Sequence, residues 1–432
     1  MKISLKYIIG LLFIGCLILL SFFTERSDFY QLILLYTALF SLSIFAYRNA
    51  NDRTTVRFFI VIAILARFIL LFSFPNLSDD IFRFIWDGKL WHIGMNPFDA
   101  LPSNYMNNSF PNGLSNELYE QLNSPNYFTI YPPIAQFTFY VATFIDDFWW
   151  NSVIMKFFLL AAEIGTITLL YKYISNKKIL LYALNPLILI EIMGNLHFEG
   201  AMIFFLLLAF HLLKQQRFNV SAIAFALSIA AKLLPLMFLP FLIHKLGWRK
   251  SIQYFVIVGT VTLALFYPLL GSFFMENFGN SLNLYFQKFE FNASLYYVFR
   301  WIGFKILGFN LIQVLGPALA LIVGITIMVK ALKNKSTNLN ELPQQWLFAI
   351  TLYLFCITTV HPWYVALPIV LSLFTNFRYP IIWSAVIFLT YVNYSYAEYF
   401  ENIWMVGIEY VLVFGYLGWE IFGRIKEDVD LY

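Results

Sequence analysis

Two adjacent carboxylates, Asp79 and Asp80, open the stretch Ser78-Asp79-Asp80-Ile81-Phe82-Arg83-Phe84-Ile85-Trp86-Asp87-Gly88. Asp80, Arg83 and Asp87 stand at i, i+3 and i+7, a spacing that puts all three on one face of a helix. A carboxylate in this setting can take the proton of an attacking hydroxyl, or it can do no more than cap a helix. A lone Asp-Asp pair favours the cap. Here Arg83, the Trp86-Asp87-Gly88 turn and Asn96-Pro97 follow in fixed order, and together they favour a site. Asp80 is the first candidate for the base, with Asp79 beside it, and Arg83, Asp87 and Asn96 bind an acceptor or order the loop.

Further groups capable of chemistry recur along the chain. Tyr131 leads Tyr131-Pro132-Pro133, and Asn185-Pro186 is followed by Glu191, Asn195, His197 and Glu199. Pro186 frees backbone groups, which a membrane tolerates only beside a cavity or packed protein. A solvated turn explains Glu199 as readily as function does, whereas Glu191 falls at the bilayer edge, where a carboxylate is costly. Lys232 interrupts Ala230-Ala231-Lys232-Leu233-Leu234-Pro235. It must snorkel to an interface or meet an anion, and a phosphate is the favoured partner. His361-Pro362-Trp363-Tyr364 forms another turn, and Arg300 is a further candidate cation. Lys232, Arg300 and His361 are thus the candidate phosphate-binding groups. Glu191, His197, Glu199, Trp363 and Tyr364 join Tyr131 among the acceptor-binding or ordering residues. Asp79, Asp80, His197 and Glu199 could hold a hard divalent metal, but their spacing matches no metal motif, so no metal and no cofactor is required. There is no Gly-rich phosphate loop of the Walker type.

These groups must be positioned by membrane helices. Of 432 residues, 60% are hydrophobic and 12% charged, and the mean hydropathy is +0.72. A soluble domain could not hide so much apolar surface. The net charge of +4 is spread over short clusters between apolar runs, which is a topology signal and not a nucleic-acid footprint. Cys16 and Cys356 lie within apolar segments, so no disulfide framework is implied. The run from Tyr7 to Phe23 reads as an uncleaved helix, because Thr24-Glu25-Arg26 offers no small-residue cleavage site. About fourteen spanning segments are expected, near 6–23, 29–47, 57–75, 152–173, 178–194, 199–213, 219–231, 233–243, 252–270, 310–331, 345–360, 363–375, 380–396 and 403–422.

The expected architecture is an all-α polytopic membrane protein with one domain over 1–432. It has two long outer loops, 76–151 and 271–309. Arg48, Arg53 and Arg57, then Lys172, Lys177 and Lys178, then Lys214 and Arg217, Lys245, Arg249 and Lys250, and Lys330, Lys333 and Lys335 fall on one side if the chain alternates, and that side is the cytoplasm. Tyr131–Ile145 is apolar but short, and counting it as a span would place Lys172, Lys177 and Lys178 outside. It reads as an interfacial helix of the first outer loop.

Taken in order, Ser78-Asp79-Asp80, Arg83, Trp86-Asp87-Gly88, Asn96-Pro97, Tyr131-Pro132-Pro133, Asn185-Pro186, Lys232-Leu233-Leu234-Pro235 and His361-Pro362-Trp363-Tyr364 resemble the C-type membrane glycosyltransferase superfamily. The nearest likeness is to bacterial polyprenol-phosphate-mannose-dependent mannosyltransferase-like proteins, over roughly 57–375. The resemblance implies a hexosyltransferase of the bacterial inner membrane. Such an enzyme moves a hexose, with mannose indicated, from a polyprenyl-phosphate donor to a glycan or lipid acceptor on the outer face. It also implies an acidic base in the first large outer loop, which maps to Asp79 or Asp80, and interfacial helices within that loop. In many members that loop follows the first helix. Here it follows the third, and residues 1–56 add two helices without an assigned role. A lipid or solute transporter would share the broken helices and intramembrane charges, though no internal repeat is visible and the polar groups favour one face. A glycan polymerase or ligase would consume a pyrophosphate-linked donor instead. A non-catalytic assembly partner would not need its ionisable groups concentrated at one site.

Overall fold

The computed structural model describes residues 3–105, 113–174 and 177–429. Among them every element is helical apart from one isolated parallel bridge, Phe291 to Thr359. The chain opens with a hairpin of α1 (Ile3–Phe23) and α2 (Phe29–Asn49), followed by α3 (Arg53–Leu70). Asp28 and Asp52 start α2 and α3 as N-caps, accepting from the Gln31 and Thr55 amides. The first long loop holds α4 (Asp80–His92), α5 (Asn116–Glu120) and α6 (Pro133–Ala142). Next come α7 (Phe148–Tyr173), the short α8 (Leu180–Ala183), a π-helical turn at Ile188–Gly194, α9 (Glu199–Lys214) and α10 (Phe218–Ala231). A 3-10 stretch, Leu234–Phe241, joins α11 (Leu242–Leu246) to this group, and α12 (Trp248–Phe266) follows. The second long loop carries α13 (Phe274–Gln287) and α14 (Leu295–Leu307), and then α15 (Ile312–Lys333) and α16 (Leu342–Cys356) run through the bundle. The last part comprises a 3-10 turn (Pro362–Val365) with α17 (Ala366–Ser372), α18 (Tyr379–Val386) with a 3-10 stretch to Tyr394, and α19 (Ile403–Val429).

Large apolar side chains cover the outer faces of the long helices: Leu11 is 75% exposed and Trp404 85%. Lipid is the solvent that tolerates such a surface. Among the described residues six helices are long and apolar enough to cross a membrane, and the bent pair Ile188–Gly194 with Glu199–Lys214, turned by 107°, would add a seventh. The expected count of about fourteen passes is not confirmed, and the physical reason is local. Pro235 and Pro240 turn the 233–243 segment into a 3-10 helix. Pro362 opens a 3-10 turn that leads into the seven-residue α17, and α16 has only 15 residues. The apolar 131–145 stretch becomes α6, a ten-residue helix packed between α4 and α7 and too short to span. Pro132 and Pro133 set its start, with Pro133 at the first helical position where its missing N–H costs nothing.

Two buried clusters tie the helices together. Arg67 on α3 donates to Glu163 on α7 (Nε to Oε2, 3.0 Å) and to the carbonyls of Ala63 and Ala183, while the Tyr182 hydroxyl donates to Glu163. Lys156 of α7 donates to the Leu70 and Ser73 carbonyls and to the Ser73 hydroxyl. It thereby joins α7 to the end of α3, where the Leu70 carbonyl also accepts from Ser73, and fixes the segment that leads to Asp79. Elsewhere Lys177 reaches the Arg48 carbonyl, Lys214 reaches Asn340, and Lys245 reaches Glu341 at 2.7 Å. These basic connections gather one α2 length away from the α1–α2 turn, about 30 Å.

Candidate active site

At the opposite end the chain encloses a cavity of about 780 Å³. It collects residues from turns far apart in sequence: Arg26, Asp79, Asp80, Arg83, Asn123, Tyr131, His197, Glu199, Lys232, His361, Trp363, Tyr364, Tyr391 and Tyr394. Its lining also includes the apolar side chains of Leu233, Leu234, Leu236, Met237, Phe278, Phe289 and Ile357 and the ring of Tyr353.

Asp79 is the N-cap residue of α4 and Asp80 its first residue. The Asp79 side chain makes no cap bond; it is held by the Arg26 guanidinium at 2.5 Å. Asp80 accepts from the Asn123 amide at 2.8 Å, and the Asp80 N–H donates to the Ser78 hydroxyl. One turn on, Arg83 donates to Asp87 at 2.9 Å and to the carbonyls of Ser124 and Tyr127. Asp87 is fully buried and also accepts from Gln136 and Thr129. The i, i+4 pair therefore staples the 124–129 segment to α4, with Asp80 at the cavity end of the same helix. Gly88, the residue after Asp87, also faces α6. A Cβ there would sit 2.5 Å from the Phe139 carbonyl, so glycine permits the α4–α6 contact in which Phe84 stacks on Phe139 with centroids 4.5 Å apart.

The second wall is built at a helix break. The bundle bends between Gly194 and Glu199, with Leu196 at φ +64°. Buried Glu191 is the hub: it accepts from Tyr391 (2.7 Å) and Asn195 (3.2 Å), and its carbonyl and carboxylate both receive His197 Nδ1. His197 in turn stacks on Trp363 at 3.6 Å, and His361 lies parallel to Trp363 at 4.4 Å. Trp363 is thus sandwiched between two imidazoles. Desolvation beside Phe291 and Trp363, with the nearby His197 and Lys232, pushes the His361 pKa down to about 3. His361 is accordingly neutral at pH 7 and can offer a hydrogen bond but no charge.

Lys232 ends α10 in an extended conformation (φ −161°, ψ 140°). Its ammonium binds Glu199, the first residue of α9, and lies 4.8 Å over the Tyr364 ring. Glu199 is closed off from solvent while Lys232 keeps one face on the cavity.

Four expected site residues do not line this cavity. Asp87 and Glu191 stand behind it as the supports just described. Asn96 donates to the Leu269 carbonyl at 2.8 Å and ties the first long loop to the turn that follows α12. Arg300 pairs with Glu290 and lies over Tyr297; it has a partner ten residues away and is not placed to meet a phosphate in the cavity. Arg26, Asn123, Tyr391 and Tyr394 were not singled out in the sequence. Arg26 had the weakest signal, a single cation in a turn between two apolar runs. Tyr391 and Tyr394 carried a helical i, i+3 spacing but read as belt aromatics. Among the described residues no three His, Cys, Asp or Glu side chains form a metal-binding group.

The arrangement can deprotonate a hydroxyl with a carboxylate and stabilise an anion with a lysine, among apolar side chains. Residues 19–247, more than half of the chain, match the family model for the alpha-(1->6)-mannopyranosyltransferase N-terminal domain, the MptA_B family. A search of curated proteins gives no match. The matched region contains both Asp79 and Asp80, the helix break at 195–199 and Lys232, and the chain belongs to this family of membrane mannosyltransferases.

Proposed function

We propose that the protein transfers a hexose, most simply mannose, from a polyprenyl-phosphate donor to a glycan or lipid hydroxyl on the outer face of the bacterial inner membrane. One observation carries this reading: a single cavity brings the carboxylates Asp79, Asp80 and Glu199 and the ammonium of Lys232 together with many apolar side chains, among them Leu234, Leu236, Met237 and Phe278. A sugar phosphate with a hydrocarbon tail likewise joins polar and apolar parts. The basic connections at the far end of the bundle support this orientation, because Lys and Arg favour the cytoplasmic side.

In the reaction the acceptor oxygen attacks the anomeric carbon, the bond from that carbon to the phosphate oxygen breaks, and the lipid phosphate leaves with the electron pair. Asp80 takes the acceptor proton. It is favoured over Asp79 because the Asp79 carboxylate is engaged by Arg26, whereas Asp80 is held by the neutral Asn123 amide. A positioned base contributes about 10²–10⁴ in rate. Lys232 meets the charge developing on the phosphate. A cation near 4 Å at an effective dielectric of 20 supplies about 4 kcal/mol before desolvation, and the share gained only in the transition state raises the rate. His361 donates a hydrogen bond to the same oxygens. No nucleotide takes part.

The test is incubation of purified protein with synthetic polyprenyl-phosphate hexoses and an acceptor glycan, with mass spectrometry of the lipid. Release of polyprenyl phosphate coupled to acceptor glycosylation is expected. Movement of lipid without that release would make the protein a transporter. Consumption of pyrophosphate-linked oligosaccharide alone would make it a polymerase or ligase.

A further inference from the structure

The hairpin of α1 and α2 enters the proposed transfer only through the Arg26–Asp79 contact, and its turn reaches the cavity. That turn is built with its polar groups used. The Thr24 hydroxyl donates to the Leu19 carbonyl at 3.0 Å, and Gln31 donates to the Phe23 carbonyl and to the Thr24 hydroxyl. The Asp28 N–H donates to the Glu25 carbonyl, and the Asp28 side chain caps α2. Asn76 donates to the Ser21 carbonyl, fastening the segment before Asp79 to the hairpin. This frame directs one side chain inward. Arg26 binds Asp79 at 2.5 Å and lies 4.4 Å over the Tyr394 ring. A guanidinium held on a carboxylate at one edge and on an aromatic face is fixed on two sides.

The consequence concerns the two neighbouring aspartates. Adjacent carboxylates repel, and each makes the other harder to ionise. A guanidinium on one cancels its charge and occupies its oxygen. Of the other cavity cations, Lys232 stands against Glu199 and Arg83 against Asp87, and neither pairs with Asp79 or Asp80 in the structure. We propose that the N-terminal hairpin is an integral part of the reaction site. It supplies Arg26 as a positioning residue that holds Asp79, orders the approach to α4, and leaves Asp80 as the proton acceptor. This inference rests on the transfer reading and gives residues 1–56 a purpose within it.

The experiment uses the full-length protein in detergent or nanodiscs, with a synthetic polyprenyl-phosphate hexose and an acceptor glycan. It compares wild type with Arg26→Gln, Arg26→Lys, Asp79→Asn and the double variant Arg26→Gln/Asp79→Asn. Arg26→Gln should lower kcat roughly 10–100-fold, as a misplaced reacting group does, with the donor KM changed by less than about threefold. Arg26→Lys should restore most of the rate. The double variant should be no slower than the slower single one, because both remove the same pair. A raised donor KM whose cost persists in the Asp79→Asn background would overturn the proposal and make Arg26 a donor-phosphate ligand. Turnover of Arg26→Gln at the wild-type rate would also overturn it, and would leave the transfer reading intact. Absence of lipid phosphate release by wild type sinks the transfer reading and this inference with it. Should Arg26→Gln not reach a monodisperse state, Arg26→Lys carries the test: near-wild-type kcat supports the proposal, and a selective rise in donor KM contradicts it.

Discussion

Two ion-paired clusters in this molecule use the same residue types for different ends. In the first, Arg67 and Glu163 meet between α3 and α7 with both side chains fully enclosed, Tyr182 donates to Glu163, and two carbonyls accept from Arg67. In the second, Lys232 with Glu199 and Arg26 with Asp79 meet at a cavity, and Arg26, Asp79 and Lys232 each keep part of the side chain accessible. A charge inside a membrane protein is a functional hypothesis by default, but the comparison shows what separates the cases. A closed pair can only hold helices together. A pair that opens on a cavity can exchange one partner for a substrate, at a small cost in stability.

Breaking the closed pair should give the largest effect on folding. Glu163→Gln leaves Arg67 buried without its counter-charge, which costs about 3–5 kcal/mol. Thermal unfolding in detergent should show the loss, while the apolar double variant Arg67→Met/Glu163→Leu recovers most of it. A stable Glu163→Gln protein that has lost transfer selectively would move this pair into the machinery. At the open pair the effect should fall on rate. Lys232→Gln should lower kcat by roughly 10²-fold, as loss of one charge-stabilising donor does, with Lys232→Arg partly active. An unchanged kcat would remove Lys232 from the phosphate site.

A pH-dependent effect concerns His361. Its folded pKa, about 3, lies below the unfolded value of about 6.5, so in between the unfolded chain binds the extra proton. Its contribution to stability is full above about pH 6.5 and is lost as the pH falls toward 3. Unfolding temperature measured over that window should drop on acidification, and His361→Asn should flatten the drop. An equally steep profile in the variant would assign the acid sensitivity elsewhere.

Much of the cavity was legible because its residues interrupt apolar runs. Asp79, Asp80, Lys232 and His361 sit where a helix must stop, at an Asp pair, an extended lysine or a His-Pro turn, and such breaks are visible in one dimension. The helix face of Asp80, Arg83 and Asp87 was readable for the same reason, since i, i+3 and i+7 fix geometry locally. What the sequence hid is partnership across the chain. Arg26 meets Asp79 over 53 residues and Asn123 meets Asp80 over 43, and no local pattern announces either contact. Arg67, Lys156 and Glu163 vanished into apolar segments because each is neutralised or capped by a helix other than its own. Arg300 failed for the opposite reason: its partner, Glu290, lies in the same loop. The number of passes was the least legible feature, because proline-broken and 3-10 segments bury apolar residues without forming a full-length helix.

The central claim is that one carboxylate in this cavity receives the acceptor proton, and paired single-turnover measurements on Asp80→Asn and Asp79→Asn test it most directly. With folding verified, release of lipid phosphate should fall about 10²–10⁴-fold in Asp80→Asn and less in Asp79→Asn. Undiminished release by Asp80→Asn would contradict the assignment, and undiminished release by both variants would remove the pair from the chemistry altogether.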